Sequence, residues 1–340
     1  MRTCPTFYLI SKYHNHPMRI IFMGTPDFAV PSLQILLDNG YDVAAVVTAT
    51  DKLGGRGGKQ LLESAVKKFA VSRGLPVLQP EKLRSPAFLE QLRSYNTDLQ
   101  IVVAFRMLPE VVWSMPKIGT FNLHGSLLPK YRGAAPINWA IINGEVETGV
   151  TTFFLQHEID TGDLLFQEKM PIGEDDTAGE VHDHMMLLGA DLVLRTVQAI
   201  ERGDYQPIQQ DDSLACHAPK IFHETCQIDF HKTAAEVHNF MRGLSPYPGA
   251  WTTVNAPLTL PDGTPWQADN WAAIQGIELK IFKSKKEHTA HDFPIGQFIT
   301  DGKKTLKVAV KDGFVQLLEL QLQGRKRLAT VDFLNGMKAQ

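Results

Sequence analysis

Between Met18 and Asn143, short and continuously apolar runs alternate with helical stretches, and that alternation leaves few architectures open. MRIIFM (18–23) reads as a buried parallel strand, followed by a turn at Gly24-Thr25-Pro26 and a helix closed by Gly40. YDVAAVVT (41–48) is a second strand, the stretch from Leu61 to Arg73 a second helix stopped by Gly74, and LQIVVA (99–104) another buried strand. GTFNLH (119–124) supplies the next strand and Ala134 to Asn143 the next helix. Strands separated by helices imply an α/β fold, a doubly wound, mostly parallel, Rossmann-like sheet. The pattern then changes: TGVTTFFLQ (148–156) and DLLFQEKMPI (163–172) are two strands close together, ahead of a long helix from Thr177 to Arg202.

A chain of 340 residues exceeds the size at which one core usually splits, so a second domain is expected. Residues 203–225 are polar and aperiodic, which places a linker at 206–225 between an α/β domain over 18–205 and a second domain over 226–340. After a short helix from Thr233 to Arg242, the second domain shows short strands at IELKIFKS (277–284), TLKVAV (305–310) and FVQLLEL (314–320). Turns such as Asp301-Gly302 and Asp312-Gly313 separate them, and this spacing suggests a small β-barrel, with the oligonucleotide-binding (OB-like) type as one option. From Cys226 onward 14 Lys and Arg stand against 11 Asp and Glu, a net +3 against −6 for the remainder. That mild excess is compatible with a polyanionic partner but too dilute to demand one. The stretch 255–276 looks like a turn-rich insertion carrying two tryptophans. Residues 1–17 hold only a short apolar patch, Phe7 to Ile10, unlike a signal segment, and are expected to form a disordered extension.

Several chemistries are disfavoured. The first turn, MGTPDFA, has one glycine where the dinucleotide fingerprint needs three, and no Walker A pattern occurs. No apolar run approaches the ~20 residues of a membrane span. Cys4, Cys216 and Cys226 lack metal-ligand spacing and the even count of a disulfide framework, favouring a reducing compartment. The histidines show no metalloenzyme spacing either, so no metal is expected.

The informative segment is FNLHGSLLPKYRGAAP (121–136). It leaves the end of an expected strand, where open α/β sheets place their ligands, and Asn122 and His124 point to one side. The loop that follows is punctuated by glycine and proline, as ligand-wrapping loops are. Taken singly, His124 is equally compatible with a core or surface histidine, and Asn122 with a turn or cap. Asp160 lies in an Asp-Thr-Gly turn between two strands; it either closes an Asx-turn or delivers a carboxylate to hold His124 protonated.

The elements MGTPDFAVPSL (23–33), GRGGK (55–59), NLHGSLLPKYRGAAPINWAI (122–141), ETGVT (147–151) and DTGDLL (160–165) together resemble the methionyl-tRNA formyltransferases, a branch of the folate-dependent formyltransferases. The resemblance implies a cytoplasmic, monomeric enzyme that moves a formyl group from 10-formyltetrahydrofolate to initiator methionyl-tRNA and releases tetrahydrofolate. It maps the catalytic trio onto Asn122, His124 and Asp160, and folate binding onto Ser126, Leu127, Leu128, Pro129, Phe105 and Arg106. Many relatives carry Val-Ala-Tyr-Gly where this chain has Val-Ala-Phe-Arg (103–106), a departure within the folate pocket. The loop 49–60, with Lys52, Arg56 and Lys59 among glycines, would meet tRNA phosphates, and is otherwise a solvated βα connection. Three alternatives remain: transfer to an amino-sugar nucleotide, transfer to glycinamide ribonucleotide, or a binding protein that keeps the fold without the activity. The second domain weighs against the purine precursor.

Overall fold

The structure, a computed structural model, describes residues 18–54, 60–266 and 274–337. The extension 1–17, Arg56, Lys59 and Trp271 lie outside the described residues. The chain forms two compact units. One comprises the residues up to Arg132 with Gly149–Lys169 and Asp183–Cys216; the other comprises Gly133–Thr148, Met170–His182 and the residues from His217 onward.

The first unit is built on seven strands: β1 Arg19–Gly24, β2 Asp42–Val47, β3 Val77–Leu78, β4 Leu99–Val103, β5 Gly119–His124, β6 Glu147–Phe154 and β7 Leu164–Pro171. They lie in the order β7-β6-β5-β4-β1-β2-β3. β1 pairs in parallel with β2 and β4, β2 with β3, and β4 with β5, whereas β6 runs antiparallel to β5. The sheet winds outward from β1 in both directions, which opens a crevice at the carboxyl ends of β1 and β4. Ile20, Ile21, Phe22 and Met23 in β1 are fully buried, as expected of a strand covered on both faces. The first helix spans Val30–Asp38, with Gly40 beyond it at φ +78°. The second spans Ala65–Ser72 rather than starting at Leu61. Ser64 sets that start by accepting the backbone N–H of Lys67, and Gln60–Leu62 instead pairs antiparallel with Lys52–Gly54. The long helix Ala178–Arg202 brings Gly189 so close to β5 that a methyl there would sit 2.7 Å from Leu123 Cδ2. Thr196 on the same helix is hydrogen bonded to Thr152 of β6 at 2.9 Å.

In the second unit five strands lie in the order Ala250–Thr253, Glu278–Glu287, Gly313–Leu322, Leu306–Val310, Phe298–Thr300, with Leu328–Ala329 beside Gly313–Leu322. Every one of these pairings is antiparallel. Helix Ala234–Gly243 opens with a capping box, Thr233 with Glu236, and lays Val237 and Met241 on a core that includes Leu279, Ile281, Leu317 and Leu320. Helix Pro136–Ile142, expected within the α/β alternation, belongs here: Asn138 Nδ2 donates to Gly243 O at 2.7 Å. The 255–276 stretch is partly structural, since Leu258 is buried, Trp266 packs on the core, and Thr259 bridges to Ile299. No helix among the described residues is long and apolar enough to cross a membrane.

The turn after Phe298–Thr300 has a testable charge dependence. Desolvation acts upward on the Asp301 carboxyl, but hydrogen bonds from the backbone N–H groups of Thr305, Lys304 and Lys303 outweigh it and hold its pKa at about 2, below the ordinary 3.8. A depressed carboxyl pKa stabilises the fold above the unfolded value, and the contribution is lost as pH falls through the folded one. Asp301→Asn should therefore lower the melting temperature at pH 7. Thermal scans should show the gap to the parent closing as pH falls from about 4 to about 2.

Candidate active site

β5 carries the first two candidate residues to the carboxyl end of the sheet. Asn122 is in register with Val102 of β4 and Phe153 of β6, and His124 with Thr151 of β6. Between them Leu123 faces the opposite way, under Gly189. The His124 ring is 6% exposed and stands edge-on to Phe153, with centroids 6.5 Å apart. Its Nε2 lies 2.9 Å from the carbonyl of Tyr131, which can only accept, so Nε2 carries a proton and Nδ1 is turned the other way. The Asn122 side-chain amide, half-buried, makes no hydrogen bond among the described residues.

Asp160 approaches from the β6–β7 connection. Its Oδ2 lies 3.7 Å from His124 Nδ1, and the carboxylate is 12% exposed. That separation exceeds a direct hydrogen bond, and such contacts commonly tighten only with substrate in place. Asp160 holds φ +56°, a left-handed conformation that Asp tolerates better than most residues. Two residues on, Gly162 passes so near β6 that a methyl group there would lie 1.7 Å from the Phe154 carbonyl oxygen. Glycine is required at 162 by space, two residues after Asp160.

The loop after His124 is tied down along its length. Ser126 is fully buried and its hydroxyl donates to Lys130 O at 2.6 Å. Thr151 Oγ1 donates to Ser126 O at 2.6 Å and accepts the N–H of Leu128 at 3.1 Å, while Gln167 Nε2 reaches Leu128 O at 2.7 Å. Ser126 and Leu128 are thus turned inward and shape the loop; Leu127 and Pro129 keep partly open faces.

Comparison with known proteins places the chain in a family. Residues 18–197 match the model of the formyl transferase family, described as "Formyl transferase", and residues 220–338 match that of its C-terminal domain. A curated methionyl-tRNA formyltransferase of Bacteroides thetaiotaomicron is 53% identical over 94% of this chain and 96% of its own length. The chain belongs to the methionyl-tRNA formyltransferase family. A second curated member, from Flavobacterium johnsoniae, is 48% identical over the same shares of the two chains. Among solved structures, WlaRD, a sugar 3N-formyl transferase crystallised with dTDP and 5-N-formyl-THF, superposes with TM-score 0.62 at 22% identity, covering 92% of this chain and all of that one. HypX from Aquifex aeolicus in complex with tetrahydrofolic acid gives TM-score 0.61 at 20% identity over 96% of this chain and 49% of its own. These two likenesses show the fold.

The segment 103–106 turns sharply at the end of β4. After β4, Ala104 takes φ +48°, Phe105 is half-buried, and the exposed Arg106 donates to the carbonyls of Pro80 and of Glu81, the latter at 3.0 Å, with its guanidinium 5.7 Å from the Phe105 ring centroid. Its charge is drawn toward the β3–helix connection. Of the cationic residues expected to meet tRNA, Lys52 is exposed at the start of the short strand Lys52–Gly54; Arg56 and Lys59 fall outside the described residues. No group of three or more His, Cys, Asp or Glu side chains among the described residues could hold a metal. Sequence reasoning passed over Tyr131, Arg132 and Gln210, which hold the site from behind. Tyr131 and Arg132 lie within the segment 121–136 already singled out, whereas the signal for Gln210 was a pair of glutamines inside an apparently structureless linker.

Proposed function

We propose that the protein transfers the formyl group of 10-formyltetrahydrofolate to the α-amino group of initiator methionyl-tRNA, as a cytoplasmic monomer. The observation that carries this reading is the convergence of Asn122, His124 and Asp160 at one sheet end, in a chain about half identical to curated methionyl-tRNA formyltransferases. The site suits the folate: Phe105, Leu127 and Pro129 offer partly open apolar faces, and the Asn122 amide makes no hydrogen bond among the described residues. When bound, the folate supplies the formyl group as an electrophilic carbon.

Negative charge grows on the formyl oxygen as the amine attacks. The Asn122 amide and the protonated His124 ring, donating from Nδ1, are the groups to meet it, and loss of one such donor typically costs ~10²–10³ in rate. Asp160 accepts the proton the amine gives up, and a proton is returned to the departing folate nitrogen, directly or through water. Because an α-amino group has a pKa of about 7.7–8.0, the residues' main task near neutrality is to remove one proton and fix geometry. No nucleophilic Ser or Cys is required.

The tRNA is assigned to two surfaces: the Lys52, Arg56 and Lys59 segment for the acceptor end, and the second unit, read as an OB-like barrel, for the rest. Arg56→Ala is expected to lower kcat/KM for methionyl-tRNA by about 5- to 150-fold, the equivalent of ~1–3 kcal/mol from one arginine contact. Folate binding should be unchanged, and the salt dependence of the reaction should become shallower. Formylation assays across a salt series check this, and an unaltered slope would return that segment to an ordinary connection. The same assay run beside glycinamide ribonucleotide and an amino-sugar nucleotide tests the whole reading: faster transfer to either small amine would overturn it.

A further inference from the structure

The segment before Cys216 does more than connect. Gln210 is 7% exposed, and its side chain spans two parts of the site. Its Oε1 accepts from Arg132 Nε at 3.1 Å and from Arg132 Nη2 at 2.7 Å. Its Nε2 donates to the carbonyl of Asp160 and to the carbonyl of Gly162, both at 2.8 Å. Arginine has no acceptor and a carbonyl has no donor, so the network closes in one amide orientation only, and Arg132 enforces it. Arg132 is itself 9% exposed and held by Asp212 Oδ1 at 2.7 Å. The residue before it, Tyr131, offers the carbonyl that fixes His124, and its own N–H is 3.2 Å from Cys216 Sγ.

From this geometry we infer that Gln210, oriented by Arg132, is a positioning residue: it clamps the Asp160 turn from behind and sets the carboxylate at its distance from His124. The inference rests on the catalytic role proposed for Asp160. Two donors on the carbonyls of 160 and 162 hold a backbone whose φ at Asp160 is otherwise unfavourable. Releasing them lets the carboxylate drift from the ring, and a displacement of about 1 Å in such a site costs on the order of 10² in rate.

Gln210→Glu keeps the length and the Arg132 contact but has no donor for either carbonyl. It is expected to lower kcat about 10- to 100-fold with KM for folate and for methionyl-tRNA within about twofold. In an Asp160→Ala background the same substitution should change kcat by less than about twofold, because residues acting as a unit are non-additive. The NMR shifts of the His124 ring should move in the same direction as in Asp160→Ala, a readout that needs no turnover. Normal kcat in Gln210→Glu, a full multiplicative loss on top of Asp160→Ala, or an unmoved His124 signal would each overturn the inference. If melting curves show Gln210→Glu unfolded, Gln210→Asn, too short to span both carbonyls, is read by the same criteria. A parent protein without formyl transfer would instead overturn the proposed function, and the His124 shifts would still decide whether Gln210 positions Asp160.

Discussion

Alanine at His124 or at Asp160 is expected to reduce kcat for formyl transfer by about two orders of magnitude or more, a loss of at least ~2.7 kcal/mol of transition-state stabilisation. Both side chains are nearly enclosed, and they face each other across 3.7 Å at the end of β5. Neither belongs to the large apolar core, so the folded state should survive either change. Asn122→Ala is expected to act in the same range, since the proposed mechanism has its amide meet the developing charge and it makes no hydrogen bond among the described residues. KM values should move little, because these contacts strengthen mainly in the transition state. The paired variant His124→Ala with Asp160→Ala should be scarcely slower than the worse single variant. Rapid-quench formylation with circular dichroism as a folding control checks all four proteins. Near-normal turnover in any single variant would remove that residue from the chemistry.

Gly162→Ala is expected to be damaging for a different reason. The added methyl would fall 1.7 Å from the Phe154 carbonyl oxygen and 3.1 Å from Phe153 Cδ2. A backbone carbonyl in a paired strand cannot swing aside as a flexible side chain can, so the turn itself must move. Overpacking of this kind costs about 3 kcal/mol. The displaced turn carries Asp160 with it, so kcat should fall by roughly 10²-fold even in the protein that remains folded. Gly336→Ala is the control, since a methyl there meets nothing within 4 Å. Denaturant titration and steady-state kinetics on the two variants decide the point. A Gly162→Ala protein with parental stability and turnover would show that the turn relaxes freely and that its close approach to β6 does not place the carboxylate.

Much of this was readable from residue order. Buried on both faces, β1 and β4 write uninterrupted apolar runs, and the spacing of Asn122 and His124 along one strand is enough to put them on one side. The start of the second helix was misread because Leu61 and Leu62 look like helix residues; they are 56% and 48% exposed in a short strand, and the cap at Ser64 decides the boundary. The roles of Gln210 and Arg132 were illegible for a more basic reason. They are 78 positions apart, and local periodicity holds no information about a hydrogen bond over that separation. Helix Pro136–Ile142 was found in nearly the right place, but its packing on Ala234–Gly243 was not legible, since a helical pattern states which face is apolar and not what covers it.

That last assignment bears on how the protein is made. The second unit recruits Gly133–Thr148 and Met170–His182, yet helix Ala234–Gly243, on which Pro136–Ile142 packs, is encoded some hundred residues later. During synthesis at about 5–20 residues per second, those early segments leave the ribosome well before their partner exists. A cut at residue 225 would likewise sever that link, leaving the C-terminal product without two segments of its own unit. Expression of the C-terminal third by itself should yield an aggregation-prone fragment, and adding a peptide covering residues 133–148 should improve its solubility.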